Sequence, residues 1–298
     1  MYRCKYIFPV LLTILNWQSI WAQPLTESNS YLTTPFVNNP AVPATQAGLM
    51  AYASARQQWT GVANAPRALN FGLHAMMMDN MGAGLRVSFD QKGLFENMRV
   101  DFSYAYRIDL DFQDNNFFGD DHFIAAGLAM GLNRQQLDQS PVRAGAGNAD
   151  PVFQNPAYNN TGFSASFGMQ YRNRRFRLDL AMPYMIEPGS TYPPKMLGMV
   201  SYDVLFSRED WMLTPSVLYR LLPQSPDQVD VNMRLTWTNT FWVQATYRTN
   251  HSLIGGGGVL IKEFGGVGYS YEASFGELAS LSQGGGHEIV LFYRFYEE

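Results

Sequence analysis

Apolar and polar side chains alternate along this chain over stretches of about 10 to 13 residues, and a period of two admits only strands that separate unlike surroundings. From Val100 to Leu110 one face carries Val100, Phe102, Tyr104, Tyr106, Ile108 and Leu110. The other carries Asp101, Ser103, Ala105, Arg107 and Asp109. Phe176, Leu178, Leu180 and Met182 alternate in the same way with Arg175, Arg177, Asp179 and Ala181. Val229, Val231, Met233, Leu235 and Trp237 alternate with Asp230, Asn232, Arg234 and Thr236. A soluble sandwich also shows alternation, but its strands average ~5–6 residues, whereas strands that cross a bilayer need ~9–11.

The pattern recurs, with no helical stretch between, at about 48–58, 66–77, 82–91, 95–110, 120–133, 161–172, 174–183, 197–207, 211–221, 228–238, 241–250, 253–262, 266–274 and 286–296. Fourteen is even, as expected of a single-chain bacterial barrel whose two ends share the periplasmic side. The connections sort by parity. The longest, 134–160, 184–196 and 275–285, follow odd segments; the shortest, such as Asp79-Asn80 and Asn239-Thr240, follow even ones. The connection 111–119 breaks this trend. Long loops outside and short turns inside are the rule for outer-membrane barrels. Tyr104, Tyr106, Trp211, Trp237, Trp242 and Tyr293 fall at expected periplasmic strand ends, the headgroup depth that amphipathic rings prefer. The fold expected is therefore all-β: a transmembrane antiparallel β-barrel of about 14 strands in a bacterial outer membrane, in contact with its lipid.

The N-terminus agrees with export. Arg3 and Lys5 precede a short apolar run, and Ile20-Trp21-Ala22 resembles a cleavage site before Gln23. The expected division is a signal peptide over 1–22, an extended segment over 23–46 and the barrel over 47–298. Cys4, the single cysteine, leaves with the signal. Removing Arg3 and Lys5 makes the mature balance two charges more negative than the −4 of the full chain, which argues against nucleic acid as a partner. Pro24, Pro35, Pro40 and Pro43 keep 23–46 from forming any long strand or helix, so it is expected on the periplasmic side or tucked into the barrel mouth.

Catalysis finds no support, and no cofactor or metal is expected. His74, His122, His251 and His287 stand on separate strands or rims without ligand spacing. Gly255–Gly258 lacks the lysine and helix of a phosphate loop; inside a strand it serves a bend or a close approach. The inward polar face carries Arg86, Asp101, Arg107, Arg177, Asp179, Asp230, Arg234, Arg248, Glu272, Glu288 and Arg294. Both signs occur in similar numbers, which suggests a salt-bridged, largely filled interior rather than the single-sign ring of a selective channel.

Short motifs then fall in a specific order. They are Asn39-Pro40 after Phe36, Arg56 with Trp59 and Pro66, and Tyr104 with Tyr106. Asp150-Pro151 and the closing Gly286-His287-Glu288 complete the order. In this order across the whole mature chain they resemble the PorP/SprF family of type IX secretion system membrane proteins. The resemblance implies a Bacteroidota outer-membrane protein of the secretion and gliding-motility machinery. Such a protein docks or retains secreted cargo, often a surface adhesin, through the cargo's C-terminal sorting domain, and has no catalytic residues to carry over. A passive porin for small solutes is the alternative.

Overall fold

The computed structural model describes residues 28–110, 122–137, 159–188, 194–206, 210–223, 225–237, 240–261, 264–275 and 284–295. The expected signal peptide, the connection 111–119, most of loop 134–160 and Asp150-Pro151 lie outside the described residues.

Among the described residues fifteen strands follow one another: β1 (Leu49–Gln57), β2 (Arg67–Met78), β3 (Met81–Lys92), β4 (Phe95–Asp109), β5 (His122–Leu137), β6 (Asn160–Asn173), β7 (Phe176–Ile186), β8 (Met196–Tyr202), β9 (Val204–Phe206), β10 (Trp211–Leu221), β11 (Gln228–Trp237), β12 (Phe241–Arg248), β13 (Ser252–Ile261), β14 (Gly265–Ser274) and β15 (Gly286–Phe295). β8 and β9 both pair with β10 in one register and are separated only at Asp203, whose carboxylate accepts from Thr214 Oγ1 at 2.7 Å. They fill a single wall position, so the ring has fourteen. Every neighbour is antiparallel, and β1 closes on β15 from Leu49↔Phe295 to Gln57↔His287. Closure leaves no edge strand to be satisfied by lipid, which cannot hydrogen-bond a backbone.

Alternation decides the two faces. On β4, Val100, Phe102, Tyr104 and Ile108 are exposed while Asp101, Ser103 and Ala105 are buried. Phe71, Leu85, Leu132, Val243 and Leu291 continue the exposed apolar belt on other strands. The buried face is rich in polar groups, among them Asn133, Ser164, Ser166, Gln170 and Asn232. This is a soluble protein turned inside out, stable only with hydrocarbon outside.

The ladder is irregular at Met76 to Met78 on β2 and again between β6 and β7. β6 and β7 slip register between Ala165 and Phe167, opposite Met182 to Ile186. A proline there cannot donate to the ladder. The bulge turns the Pro183 carbonyl inward, where it accepts from Arg99 Nη1 at 2.7 Å and from Ser166 Oγ at 2.7 Å. It also brings Tyr184 to the lumen, with the Arg99 guanidinium 4.7 Å from its ring centroid.

Candidate functional site: a plugged lumen

Residues 28–45 contain no charged side chain. They run down the barrel axis, with two short 3-10 turns, Pro35–Val37 and Val42–Ala44, each with a proline in its first two positions that pre-sets the backbone. The path begins near the outer end of the lumen. There Ser28 Oγ donates to Glu288 Oε1 at 2.8 Å and the Asn29 N–H donates to Glu288 Oε2 at 2.6 Å. It ends at Gly48, which enters β1 at the opposite end. The segment expected at the mouth or outside it therefore occupies the interior along most of its length.

The wall is shaped for it. A Cβ added at Gly82 would fall 2.2 Å from the Pro43 carbonyl, and one at Gly127 would fall 2.1 Å from the Pro40 oxygen. These glycines on β3 and β5 let the plug backbone touch the wall backbone. Asn39 Nδ2 donates to Asp179 Oδ1 at 2.9 Å and to the Met169 carbonyl at 3.0 Å, while its Oδ1 accepts from the Ala41 N–H. The apolar side chains of the plug find small wall patches: Phe36 and Val42 with Tyr52, Tyr31 with Met199 and Leu218, and Ala41 with Phe123 and Ala125. His74 lies under Phe36, their rings 4.8 Å apart.

With an uncharged plug, the wall charges must neutralise one another, since an unpaired buried charge costs several kcal/mol. Most of those described do so in two networks. In the first, Asp101 accepts from Arg86 Nη2 at 2.7 Å, from Arg99 Nε at 2.8 Å and from Ser164 at 3.2 Å. Arg86 then donates to the plug at the Val37 carbonyl. In the second, Asp230 takes Arg220 at 2.8 Å and both arms of Arg248 at 2.9 Å; Arg248 reaches Glu272 at 3.4 Å, and Glu272 holds Arg56 at 2.5 Å. That chain of charges crosses from β10 to β1, and Asn29 touches it at Glu272.

Arg177 pairs with Asp179 at 2.6 Å near the short-turn end. Arg107 pairs with Asp109 at 2.6 Å, and its guanidinium lies 4.7 Å from the Phe123 ring centroid. Arg234 donates to Thr33 Oγ1 at 2.8 Å and stacks 4.3 Å over Trp242. Arg294 Nε approaches Met50 Sδ at 3.0 Å. Arg175 stands exposed in the turn between β6 and β7. Trp242 corrects the aromatic assignment: it is buried in the lumen rather than in the outer girdle. Its phase with Gln244 and Arg248 decides this, and Gly258 and Gly268 leave room for the indole, 2.7 Å from where their Cβ atoms would lie.

Arg99 and Arg220 were not singled out from the sequence. Arg99 stands two residues before Asp101 and could have been found by extending the same phase. Arg220 shares its face with Leu218, which hides the polar pattern. Among the motif residues, Trp59 sits in the loop after β1 with φ 49°, and the Pro66 carbonyl accepts from Gln58 at 2.9 Å. Tyr104 and Tyr106 face outward, Tyr106 taking a hydrogen bond from Asn80 at 3.0 Å. His287 contacts the Tyr269 hydroxyl at 2.7 Å and the Gly284 carbonyl at 3.1 Å, so both ring nitrogens are occupied.

Two of the spaces between plug and wall, among the described residues, have volumes of about 40 and 30 Å³, room for a few waters. Among the described residues no group of three or more His, Cys, Asp and Glu side chains gathers as a metal site.

Comparison with known proteins adds the family. No curated protein matches the chain. Among solved structures, the outer membrane protein Omp33 of Acinetobacter baumannii aligns with a TM-score of 0.49 at 6% identity, over 85% of this chain and 100% of its own. A mutant of the Rh. blastica porin aligns at 0.38 and 12% identity, over 83% of this chain and 99% of its own. Neither likeness bears on function. The sequence profile of the type IX secretion system membrane proteins PorP/SprF matches residues 21–293. This outer-membrane β-barrel therefore belongs to the PorP/SprF family of type IX secretion system membrane proteins.

Proposed function

We propose that the barrel is a non-enzymatic docking component of the type IX machinery, which receives or retains secreted cargo at the cell surface through the cargo's C-terminal sorting domain. Family membership supplies the system. The observation that carries the reading within it is the filled lumen: the chain's own segment 28–45 threads the interior, and wall glycines and ion pairs are fitted around it. A passive porin needs a wet path of solute width, and the two described spaces beside the plug are far smaller. In this reading Arg86, Asp101, Asp179, Asp230, Arg248, Glu272 and Glu288 hold wall and plug in one shape, and partners are met at the outer loops, including 134–160, or on the wall.

Deletion of the gene in its native host tests this, with surface proteins read by mass spectrometry and the purified barrel read in planar bilayers. The proposal expects loss of one or a few surface proteins that carry a C-terminal sorting domain, together with negligible conductance. Steady conductance with an unchanged surface proteome would establish the porin alternative instead.

A further inference from the structure

A concavity of about 740 Å³ opens on the outer wall, across the loop-side ends of β15 and β1 to β5. A barrel's outer surface is convex, so a hollow there has a local cause. Ala55 on β1 is its floor, between Ile289 and Leu69 in the strand register. Larger side chains rise around that floor.

Two tiers of residues line the hollow, and their chemistry differs. The lower tier runs Ile289, Ala55, Leu69, Phe89, Met98 and Arg134, each paired with the next across the sheet. The four large apolar members of that tier are exposed and continue the lipid-facing belt upward. Two residues further out along each strand comes Gln57, Arg67, Gln91, Glu96 and Gln136, which is polar throughout. The hollow thus straddles the level where hydrocarbon gives way to headgroups, on the side of the long loops that faces the exterior.

Arg134 shows what belongs there. It points outward from a row that is otherwise apolar, at the boundary where a guanidinium reaches the anionic groups of the lipid heads. Neither Arg134 nor Arg67 has a hydrogen bond or ion pair among the described residues. Glu96 is the single carboxylate pointing outward in the two tiers, so Arg67 and Arg134 leave the two tiers together with one net positive charge. An occupant must therefore carry apolar chains and, at the boundary of the two tiers, negative groups.

We propose that this hollow is a binding site for a phosphorylated glycolipid of the outer leaflet, whose acyl chains lie over Ala55 between Leu69 and Ile289 and whose anionic headgroup spans Arg67 and Arg134, its phosphate groups meeting the two guanidiniums. A guanidinium suits phosphate because it offers paired donors in a fixed plane. The site would tie the barrel's loop-side rim to the lipid that surrounds it, and it does not depend on what the machinery delivers.

Native mass spectrometry of the full-length mature barrel in mild detergent, titrated with purified lipid A, tests the assignment. Dephosphorylated lipid A and inorganic phosphate serve as comparison probes. The wild-type protein is expected to retain one lipid A. Arg67→Gln and Arg134→Gln are each expected to weaken retention about tenfold, the size of one charge-assisted hydrogen bond. Ala55→Trp, which keeps both arginines and fills the floor, is expected to weaken it as well. All three positions face outward, so heat-modifiable migration on gels should remain wild-type and separates lost binding from lost folding. Equal retention of dephosphorylated lipid A, or unchanged retention by the double arginine variant, would overturn the proposal. Competition by millimolar inorganic phosphate would also overturn it, since the arginines would then form a free-anion site.

Discussion

Asp101 offers the sharpest test of how the lumen is held. It is 1% exposed and is the shared partner of two arginines, Arg86 on the neighbouring strand and Arg99 on its own. Asp101→Asn keeps the volume and one acceptor for Ser164 and Arg99, but removes the charge that both guanidiniums require. Breaking a buried pair by neutralising one side costs about 3–5 kcal/mol, because the other charge is left uncompensated. The retained amide oxygen favours the lower end, about 3 kcal/mol. Arg86→Met should cost a similar amount, since it also abandons the Val37 carbonyl of the plug. The double variant loses one anion and one cation together. It should therefore be more stable than the sum of the single losses predicts, by about 1–2 kcal/mol. Urea unfolding of the barrel folded into lipid vesicles, followed by the fluorescence of Trp211 and Trp237, measures all four corners. A loss below about 1 kcal/mol for Asp101→Asn, or strict additivity in the double variant, would refute the claim that this network is neutralised within the wall.

Three further expectations follow from the plug and the belt. Gly127→Val places a side chain in the space of the Pro40 carbonyl and should drive the plug from its seat, seen as new conductance in planar bilayers. Gly255→Ala, with nothing within 4 Å of the added Cβ, should leave the bilayer silent. Asn39→Ala removes three hydrogen bonds that tie the plug to β6, β7 and itself, a loss of about 1–3 kcal/mol. Limited proteolysis should then cut within 28–45 faster than in wild type, and equal rates would count against the contact. Phe102→Arg puts a charge on the lipid face where the ring is 60% exposed, and should cost about 2–4 kcal/mol in vesicles. An unchanged urea midpoint would mean that this position does not meet hydrocarbon.

Which side chains face lipid was legible from the sequence, because the period of a strand is a local property of the backbone. Phe102, Tyr104 and Leu180 declare their side by their neighbours alone, and the parity of connection lengths then supplies the sidedness of the ring. Some of the lumen was equally local. Arg99 and Asp101 share a face by being two apart, and Trp242 shares one with Gln244 and Arg248, although its place at a strand end pointed to the girdle.

The partners of the charges were not legible. Arg56 meets Glu272, 216 residues away, because the last strand closes on the first and β14 stands next but one to β1. Tyr184 reaches the lumen through a register slip that no periodicity announces. The depth of the plug was hidden for a related reason. Residues 28–45 have neither charge nor period, so their place is set by the space the closed wall leaves and by the glycines lining it. Strand direction is written residue by residue; what fills a ring and who pairs across it exist only once the ring has closed.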